Sequence, residues 1–397
     1  MTESVAPAAV SSFLNGIAAE LAGIHRGKTY SQWREEAVHR VDHVLASAEP
    51  FSALAERWVF LGDGAYSLVG GQFGGWAIDR LLDKATPDEI VALFWEEVGR
   101  NKAVYEDVSP VLGVQITEVC DLGDGVRLVP PPINMLDIAG FRQRFPWPQL
   151  PSETGFLVQR YVVTPAFEQR AADASSPTGG SVTLPDFQSR EAVRRRCRLA
   201  CLLGTGGAVE LPMSVVLEDP SALFAAGGTL SGRPFAAQPF SSFPSDLTAI
   251  HTAFDQLAKF AEGDILTRAI DRLGRSRLAV HQVDRALDLG MAAEIVLMHD
   301  QGGSNTEITQ KIGTRAAWLL GEDAEDRAHI FGQIRQLYAA RSTAVHSGSL
   351  GSNSKVDLDA ADALVARVIL AILQRGTFPD WMRLILGGVE KANGNDL

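Results

Sequence analysis

A series of helix-like segments fills the carboxy-terminal part of the sequence, and this feature constrains the fold most. Six segments between residues 246 and 375 place apolar residues at the spacing of one helix face. Ser245 and Asp246 offer an N-cap for the first of them. Because successive helices pack most simply side by side, the sequence predicts an all-α antiparallel helical bundle over residues 245–397.

The first 240 residues predict a mixed region that contains both helices and strands. Residues 1–100 contain segments at helical spacing, and the glycine-punctuated stretch LGDGAYSLVGGQFGGW between them predicts a loop. Residues 101–240 are strand-rich: VLGVQITEV and VRLVPPP predict one hairpin, and RRCRLACLL and AVELPMSVVL predict another. A Pro- and Ser-rich linker follows near residue 240. The predicted fold class is therefore α+β, with domains at residues 1–240 and 245–397.

Composition restricts the compartment and the partners of this chain. The 48 acidic and 36 basic residues give a net charge of −12, which argues against a general nucleic-acid coat but permits a local basic site. Three cysteines without framework spacing suit a reducing cytoplasm, and Cys197 and Cys201 are interpreted as buried thiols rather than half of a metal site. The sequence has no signal-peptide pattern and no apolar run of membrane-spanning length, so we expect a cytoplasmic protein without membrane contact.

The stretch LYAARSTAVHSGS, residues 337–349, places an arginine on the apolar face of a predicted helix. The apolar stripe of this helix runs through Phe331, Ile334, Tyr338 and Val345, and Arg341 occupies the stripe position between the last two. Arginine is almost never fully buried unless it is paired. The position of Arg341 therefore predicts either a partner or a function.

Glu294 is the partner that the sequence offers to Arg341. It lies on the apolar stripe of VDRALDLGMAAEIVLM, at a position where a hydrophobic residue is expected. We therefore predict an ion pair between Arg341 and Glu294 across two packed helices. Three glycines, Gly290, Gly313 and Gly332, interrupt their helices at a cost of about 1 kcal/mol each, which predicts close helix packing at these points.

Arg341 and His346 do not share a face of one regular helix. Five residues rotate through about 500°, which leaves the two side chains about 140° apart. They can converge only if the helix breaks near Ala344, or if one of them comes from a second copy of the chain. The run of serines and glycines directly after His346 makes a break plausible.

The stretch LYAARSTAVHSG resembles the Arg-x4-6-His signature of HEPN domains, specifically the Apea-like branch, in which a tyrosine, an Arg-Ser pair and a Val-His-Gly ending recur. The resemblance covers about residues 247–375, and the first 240 residues resemble no family that we can name. Two positions depart from the pattern. Ser347 stands where that branch usually has glycine, and Ser342 stands where many catalytic members of the superfamily carry Asn, Asp or His.

The resemblance implies metal-independent cleavage of RNA, without a cofactor, by a homodimer that brings two Arg-His motifs together. His346 would act as general base toward the ribose 2′-hydroxyl or as general acid toward the 5′-oxygen. Arg341 would hold the scissile phosphate, with Glu294 orienting its guanidinium, and the product would be a 2′,3′-cyclic phosphate. The family also implies an anti-phage or toxin effector, in which residues 1–240 sense a trigger or restrain the helical domain.

Two further features bear on these expectations. Arg268, Arg272 and Arg275 fall at i, i+4 and i+7 of one helix with Arg277 close behind, which predicts either an RNA-binding stripe or a solvated face. Arg194, Arg195, Arg196 and Arg198 form a second cluster. Strand alternation would place Arg194, Arg196 and Arg198 on one side, as an anionic contact or a protected sheet edge. The apolar residues of VARVILAIL in the last long helix favour a dimer.

A non-catalytic module is the alternative to the nuclease. In this interpretation Arg341 and Glu294 form a structural ion pair, and the HEPN-like domain serves in binding or assembly. The two hypotheses differ in one outcome, which is whether the chain cleaves RNA in the presence of EDTA through His346.

Overall fold

The computed structural model describes eleven stretches of the chain: residues 5–23, 30–47, 57–61, 64–67, 73–131, 154–169, 187–218, 230–232, 242–300, 307–351 and 354–387. Within them the protein is mixed α+β with a carboxy-terminal helical region, as the sequence predicts. Contacts divide the chain into two compact units. The first comprises Met1–Ser109, Val158–Glu191 and Met213–Arg233, and the second comprises Pro110–Leu157, Ala192–Pro212 and Pro234–Leu397.

The first unit contains a helical cluster and a small sheet. Its strands β1 (Arg57–Leu61), β2 (Gly64–Ser67) and β7 (Phe167–Gln169) form an antiparallel sheet of order β2-β1-β7. The described helices are α1 (Val5–Gly23), α2 (Tyr30–Ser47), α3 (Phe73–Leu82) and α4 (Pro87–Arg100).

The loop predicted over LGDGAYSLVGGQFGGW was wrong at the described residues of this stretch, and residues 62–63 and 68–72 lie outside the described part of the chain. Leu61 pairs with Gly64 in the β1–β2 hairpin, and α3 begins at Phe73, so much of this stretch is regular structure. The Gly-Asp dipeptide between the two strands is a sequence typical of two-residue hairpin connections. The sequence therefore contained a hairpin pattern, but the many glycines around it led to the prediction of a loop.

A six-stranded sheet follows in the sequence. Its order is β4-β5-β6-β3-β8-β9, and its members are β3 (Ala103–Gln115), β4 (Cys120–Gly123), β5 (Val126–Val129), β6 (Thr154–Val163), β8 (Met213–Glu218) and β9 (Leu230–Gly232). A hairpin is present near its predicted place, but the partner of β5 is β4, which lies within the predicted turn. VLGVQITEV instead supplies the end of β3, whose earlier residues pair antiparallel with β8.

The strand predicted over RRCRLACLL is a helix, α5 (Phe187–Gly204). Its buried residues Arg190, Arg194, Cys197 and Cys201 recur at i, i+4, i+7 and i+11, which is helical spacing. The helical period is hidden in the sequence because two of these buried positions carry arginine. Residues 194–198 therefore do not alternate as strand residues, and the one-sided arginine cluster was wrong.

The second unit holds the carboxy-terminal helical region. Asp246 caps the first helix by accepting a hydrogen bond from the Ala249 amide at 3.0 Å, as predicted. Its helices are α6 (Leu247–Lys259), α7 (Gly263–Leu278), α8 (Gln282–Leu297), α9 (Ile308–Leu320), α10 (Ala324–Ser347), α11 (Leu358–Arg375) and α12 (Trp381–Ile385). Helix α8 contacts α7, α9, α10 and α11, so it is central to this region.

The core of the second unit is not made from these helices alone. Leu128, Leu157 and Leu202 belong to the same apolar cluster as Leu289 and Ile334 of the helical region. The unit therefore adds residues 110–157 and 192–212 to the segment predicted from residue 245 onward. Burial of these residues links the strands to the helices.

The apolar surplus of the last long helix is buried within the chain. Val365, Val368, Ile369, Ile372 and Leu373 of α11 each expose at most 1% of their surface. A residue already buried in its own core offers no area to a second subunit. The argument for a dimer from VARVILAIL was therefore wrong, and any dimer has to rest on other residues.

Candidate functional site

Helix α10 carries both members of the Arg-His motif on one continuous segment. It runs from Ala324 to Ser347, and Gly348 ends it in the left-handed region at φ 65°, where its amide donates to the Ala344 oxygen at 3.0 Å. Glycine suits this C-cap because it has no Cβ to strain. The helix therefore ends after His346 and does not break near Ala344, so the first of the two ways in which Arg341 and His346 could converge is absent.

The predicted ion pair between Arg341 and Glu294 is present. The Arg341 Nη2 atom lies 3.2 Å from the Glu294 Oε2 atom, and the two side chains expose 25% and 32% of their surface. Arg341 is therefore neither buried in the core nor extended freely into solvent. The pair joins α10 to α8 at a place where a quarter of the Arg341 side chain stays exposed.

Gly290 of α8 makes room for the stem of Arg341. A Cβ atom built on Gly290 would lie 2.6 Å from the Arg341 Cγ atom, closer than real Cβ atoms approach their neighbours. Gly313 is similarly close to the ring of Phe331, so close packing is confirmed at both glycines. The same prediction was wrong at Gly332, where an added Cβ would meet nothing within 4 Å.

Tyr338 completes the surroundings of Arg341. Its side chain is buried, and its hydroxyl donates to Glu294 Oε2 at 3.4 Å and accepts from Arg341 Nη1 at 3.5 Å. The guanidinium carbon of Arg341 lies 5.3 Å from the centre of the Tyr338 ring, within the range of a cation–π contact. Burial raises the pKa of the Tyr338 hydroxyl above its ordinary value, and the Glu294 carboxylate raises it further. The hydroxyl therefore keeps its proton at neutral pH and can donate it.

His346 lies in the last turn of α10 and is exposed. Val345 beside it exposes 56% of its surface, and the buried residue at this end of the helix is Ala344, so the apolar stripe was wrong at its last position. On a continuous helix Arg341 and His346 stay about 140° apart. A single chain therefore does not bring the two side chains together on one helix face.

The four arginines predicted to bind RNA separate into different environments. Arg268 and Arg275 are exposed on α7, and Arg272 pairs with Asp288 at 2.9 Å. Arg277 has a side chain only 5% exposed, and its donors are used by the Asp362 carboxylate and by backbone oxygens. A guanidinium held inside the protein cannot contact an RNA backbone, so the assignment of Arg277 was wrong.

The arginines of α5 also have partners inside the second unit. Arg195 and Arg198 both donate to the Asp271 carboxylate of α7, and Arg196 lies over the Phe254 ring with its guanidinium carbon 3.8 Å from the ring centre. These contacts fix α5 to the helical region. They leave no free basic cluster of the kind that the strand prediction implied.

All three cysteines are free thiols: Cys197 and Cys201 are buried, as predicted, and Cys120 is half-buried. Burial raises the pKa of the Cys120 thiol, and a hydrogen bond with Cys201 together with burial raises that of Cys197 well above its ordinary value. Among the described residues, no three His, Cys, Asp or Glu side chains are grouped so that they could hold a metal ion. The described helices also include none that is long and apolar enough to cross a membrane.

The site is thus a guanidinium held by a carboxylate and a phenol on the surface of a helical region, with an exposed imidazole further along the same helix. A guanidinium binds phosphate through two parallel N–H donors, and an exposed imidazole can transfer protons. The sequence identified Arg341, Glu294 and His346. It placed Tyr338 on the apolar stripe and within the family resemblance, but it assigned this residue no role at the site. No protein-family model, no curated protein and no solved structure matches this chain.

Proposed function

We propose that this protein is a metal-independent endoribonuclease of the HEPN type, whose active site combines Arg341 of one chain with His346 of a second. One observation carries the proposal: the Arg341 guanidinium is held by Glu294 and Tyr338 where a quarter of its side chain stays exposed. An arginine that served only to fill the core would be covered. On this proposal the carboxy-terminal helices form an antiparallel bundle of the Apea-like branch.

The proposed chemistry needs only groups that the chain supplies. The ribose 2′-oxygen attacks phosphorus, the bond from phosphorus to the 5′-oxygen breaks, and a 2′,3′-cyclic phosphate and a 5′-hydroxyl result. His346 takes the 2′-proton or delivers a proton to the 5′-oxygen. Arg341 holds the phosphate and offsets the charge that builds on its oxygens in the transition state. Glu294 keeps the guanidinium in place.

The proposed site needs a second copy of the chain because α10 is unbroken between Arg341 and His346. Arg341 and His346 are about 140° apart on that helix, so a phosphate held by Arg341 meets the histidine of another chain more readily than its own. A twofold-symmetric homodimer would contain two such sites. Val345, next to His346, exposes 56% of its surface and is an apolar residue that a second copy would cover.

The proposal extends to RNA contacts and to regulation. Arg268 and Arg275, exposed on α7, are the remaining candidates for backbone contacts, with Arg272 close to them and paired to Asp288. Residues 1–240 would sense a trigger or restrain the helical region, in a role in anti-phage defence or as a toxin. No cofactor and no membrane partner enter the proposal.

A non-catalytic binding or assembly module is the second candidate function. The observation that favours it is the Glu294 carboxylate, which lies 3.2 Å from Arg341 and offsets the charge that a phosphate would need. Ser342 also stands where many catalytic members of the superfamily have a different polar residue. Cleavage of RNA therefore has to be tested directly.

The test compares the parent protein with His346→Ala in EDTA, using single-stranded and structured RNA. We expect the parent to produce 2′,3′-cyclic phosphate ends, and we expect the variant to lose at least about 100-fold of the rate because it lacks the proton-transfer group. His329→Ala is the matched control, because His329 is also exposed on α10. RNA that stays intact with the parent favours the binding module, and equal cleavage by parent and His346→Ala excludes the proposed site.

A further inference from the structure

Arg341, Glu294 and Tyr338 form a closed set of three contacts. Arg341 Nη2 lies 3.2 Å from Glu294 Oε2, the Tyr338 hydroxyl lies 3.4 Å from that same oxygen, and Arg341 Nη1 lies 3.5 Å from the hydroxyl. The Tyr338 ring adds a fourth contact, because the guanidinium carbon of Arg341 lies over it, 5.3 Å from the ring centre. Each group therefore touches both of the others, and the guanidinium is restrained in position and in plane.

The Tyr338 hydroxyl takes the place of one carboxylate oxygen. An arginine facing a single carboxylate commonly forms two parallel hydrogen bonds, one to each oxygen. Here the Nη2 atom faces Glu294 Oε2 and the Nη1 atom faces the phenol oxygen. The carboxylate is thus prevented from taking both Nη groups. A neutral hydroxyl holds Nη1 less strongly than a charged oxygen would, so Nη1 stays available to an incoming phosphate.

We infer that Tyr338 is a positioning residue of the proposed nuclease site, which holds Arg341 out of a two-oxygen pair with Glu294 and presents its guanidinium to the scissile phosphate. The inference rests on the proposed function. It assigns to Tyr338 an effect on the transition state, because the phosphate gains charge there and a correctly placed guanidinium offsets it. The residue does not touch the reacting atoms and acts only through Arg341.

The first unit contains a comparable set of groups in a buried place. Arg190 Nη1 lies 3.2 Å from both the Asp107 carboxylate and the Tyr161 hydroxyl, and the guanidinium carbon is 4.7 Å from the centre of the Tyr161 ring. The Arg190 and Asp107 side chains expose only 5% and 2% of their surface. The same three group types therefore serve packing there, whereas the side chains of Arg341 and Glu294 stay 25% and 32% exposed.

The test replaces Tyr338 by phenylalanine, which keeps the ring and removes the hydroxyl. We expect kcat for RNA cleavage to fall about tenfold, equivalent to about 1.4 kcal/mol, while KM changes less than about twofold. Arg341 would then pair with both oxygens of Glu294 and turn away from the phosphate. The melting temperature should change little, since the ring still fills its place. Tyr161→Phe is the matched control, and it should leave kcat unchanged.

A second variant distinguishes an effect of Tyr338 on the position of Arg341 from a nonspecific disruption of the site. In Tyr338→Phe combined with Glu294→Gln, the neutral amide no longer draws Arg341 into a charged pair, so part of the lost kcat should return. If the losses of kcat in Tyr338→Phe and in Glu294→Gln simply add in the double variant, Tyr338 does not act through this carboxylate and the inference is overturned. An unchanged kcat in Tyr338→Phe would overturn it while the nuclease stands. A parent protein that cleaves no RNA would end both proposals.

Discussion

At the scale of single residues, the site depends on Arg341 and also on the absence of a Cβ atom at Gly290. The stem of Arg341 lies against α8 at the position where any other residue would carry a Cβ atom. Because Gly290 lacks a Cβ atom, the Arg341 side chain can pack directly against α8. Its guanidinium then reaches Glu294, which lies on α8 as Gly290 does. The internal glycine makes α8 about 1 kcal/mol less stable than alanine would, and it allows this close approach.

Gly290→Ala should therefore reduce stability. Overpacking costs about 1–3 kcal/mol, and the better helix propensity of alanine offsets about 1 kcal/mol of it, so a net loss of up to about 2 kcal/mol is expected. Gly332→Ala in α10 is the control, and it should gain up to about 1 kcal/mol because nothing lies within 4 Å of the new methyl group. Urea unfolding followed by circular dichroism measures both. Equal stability changes at the two glycines would contradict the close contact at Gly290.

At the scale of elements, Arg277 joins three helices. It extends from α7, forms two hydrogen bonds from Nε and one from Nη2 to the Asp362 carboxylate of α11, and donates from Nη1 to carbonyl oxygens at the end of α5. Those acceptors are the oxygens of Leu202, Thr205 and Gly207, at 2.6, 2.9 and 3.2 Å. Carbonyl groups at a helix end lack partners within the helix, so a buried cation there satisfies them.

Arg277→Ala should destabilise the fold by about 3–5 kcal/mol, because it leaves the buried Asp362 carboxylate without its partner. Arg268→Ala, which removes an exposed arginine from the same helix, should stay within about 0.5 kcal/mol of the parent. The free energies of unfolding in urea distinguish the two. Similar values for both variants would indicate that Arg277 is not held as described.

The accuracy of the sequence predictions also differs from element to element for physical reasons. Polar interruptions of two apolar stripes were enough to predict the pair of Arg341 with Glu294, because a charge on a packed face needs a partner. The family resemblance includes the tyrosine at position 338, but its contacts with Arg341 and Glu294 could not be predicted, since a tyrosine on an apolar stripe has the pattern of a core residue. Helix α5 was missed because Arg190 and Arg194 occupy buried positions that a hydrophobic pattern leaves blank.

At the scale of the whole molecule, the helical region is not a separable body. Its apolar core includes Leu128 and Leu157, which lie far before it in the sequence, and Leu202 of α5. The segment from residue 245 onward would expose its share of this core if it were cut away. Experiments on the proposed site should therefore use complete chains.

Mixing two inactive variants tests whether the proposed site is shared between chains. Arg341→Lys keeps the charge beside Glu294 but loses the two-donor geometry of arginine, and His346→Ala lacks the proton-transfer group. A mixed dimer of the two would retain one intact site, so an equimolar mixture should recover about a quarter of the parent activity per chain. The measurement is RNA cleavage after the variants are unfolded and refolded together. If each chain carries a complete site of its own, the mixture will remain as inactive as its components.

The unbroken course of α10 also affects how the activity would depend on abundance. A rigid rod keeps the arginine and the histidine of one chain apart, so an isolated subunit is an incomplete enzyme on the proposed mechanism. At low copy number, cleavage would then rise with the square of the protein concentration. The activity of such a nuclease would therefore stay low while the protein is scarce, and it would increase more steeply than the amount of protein.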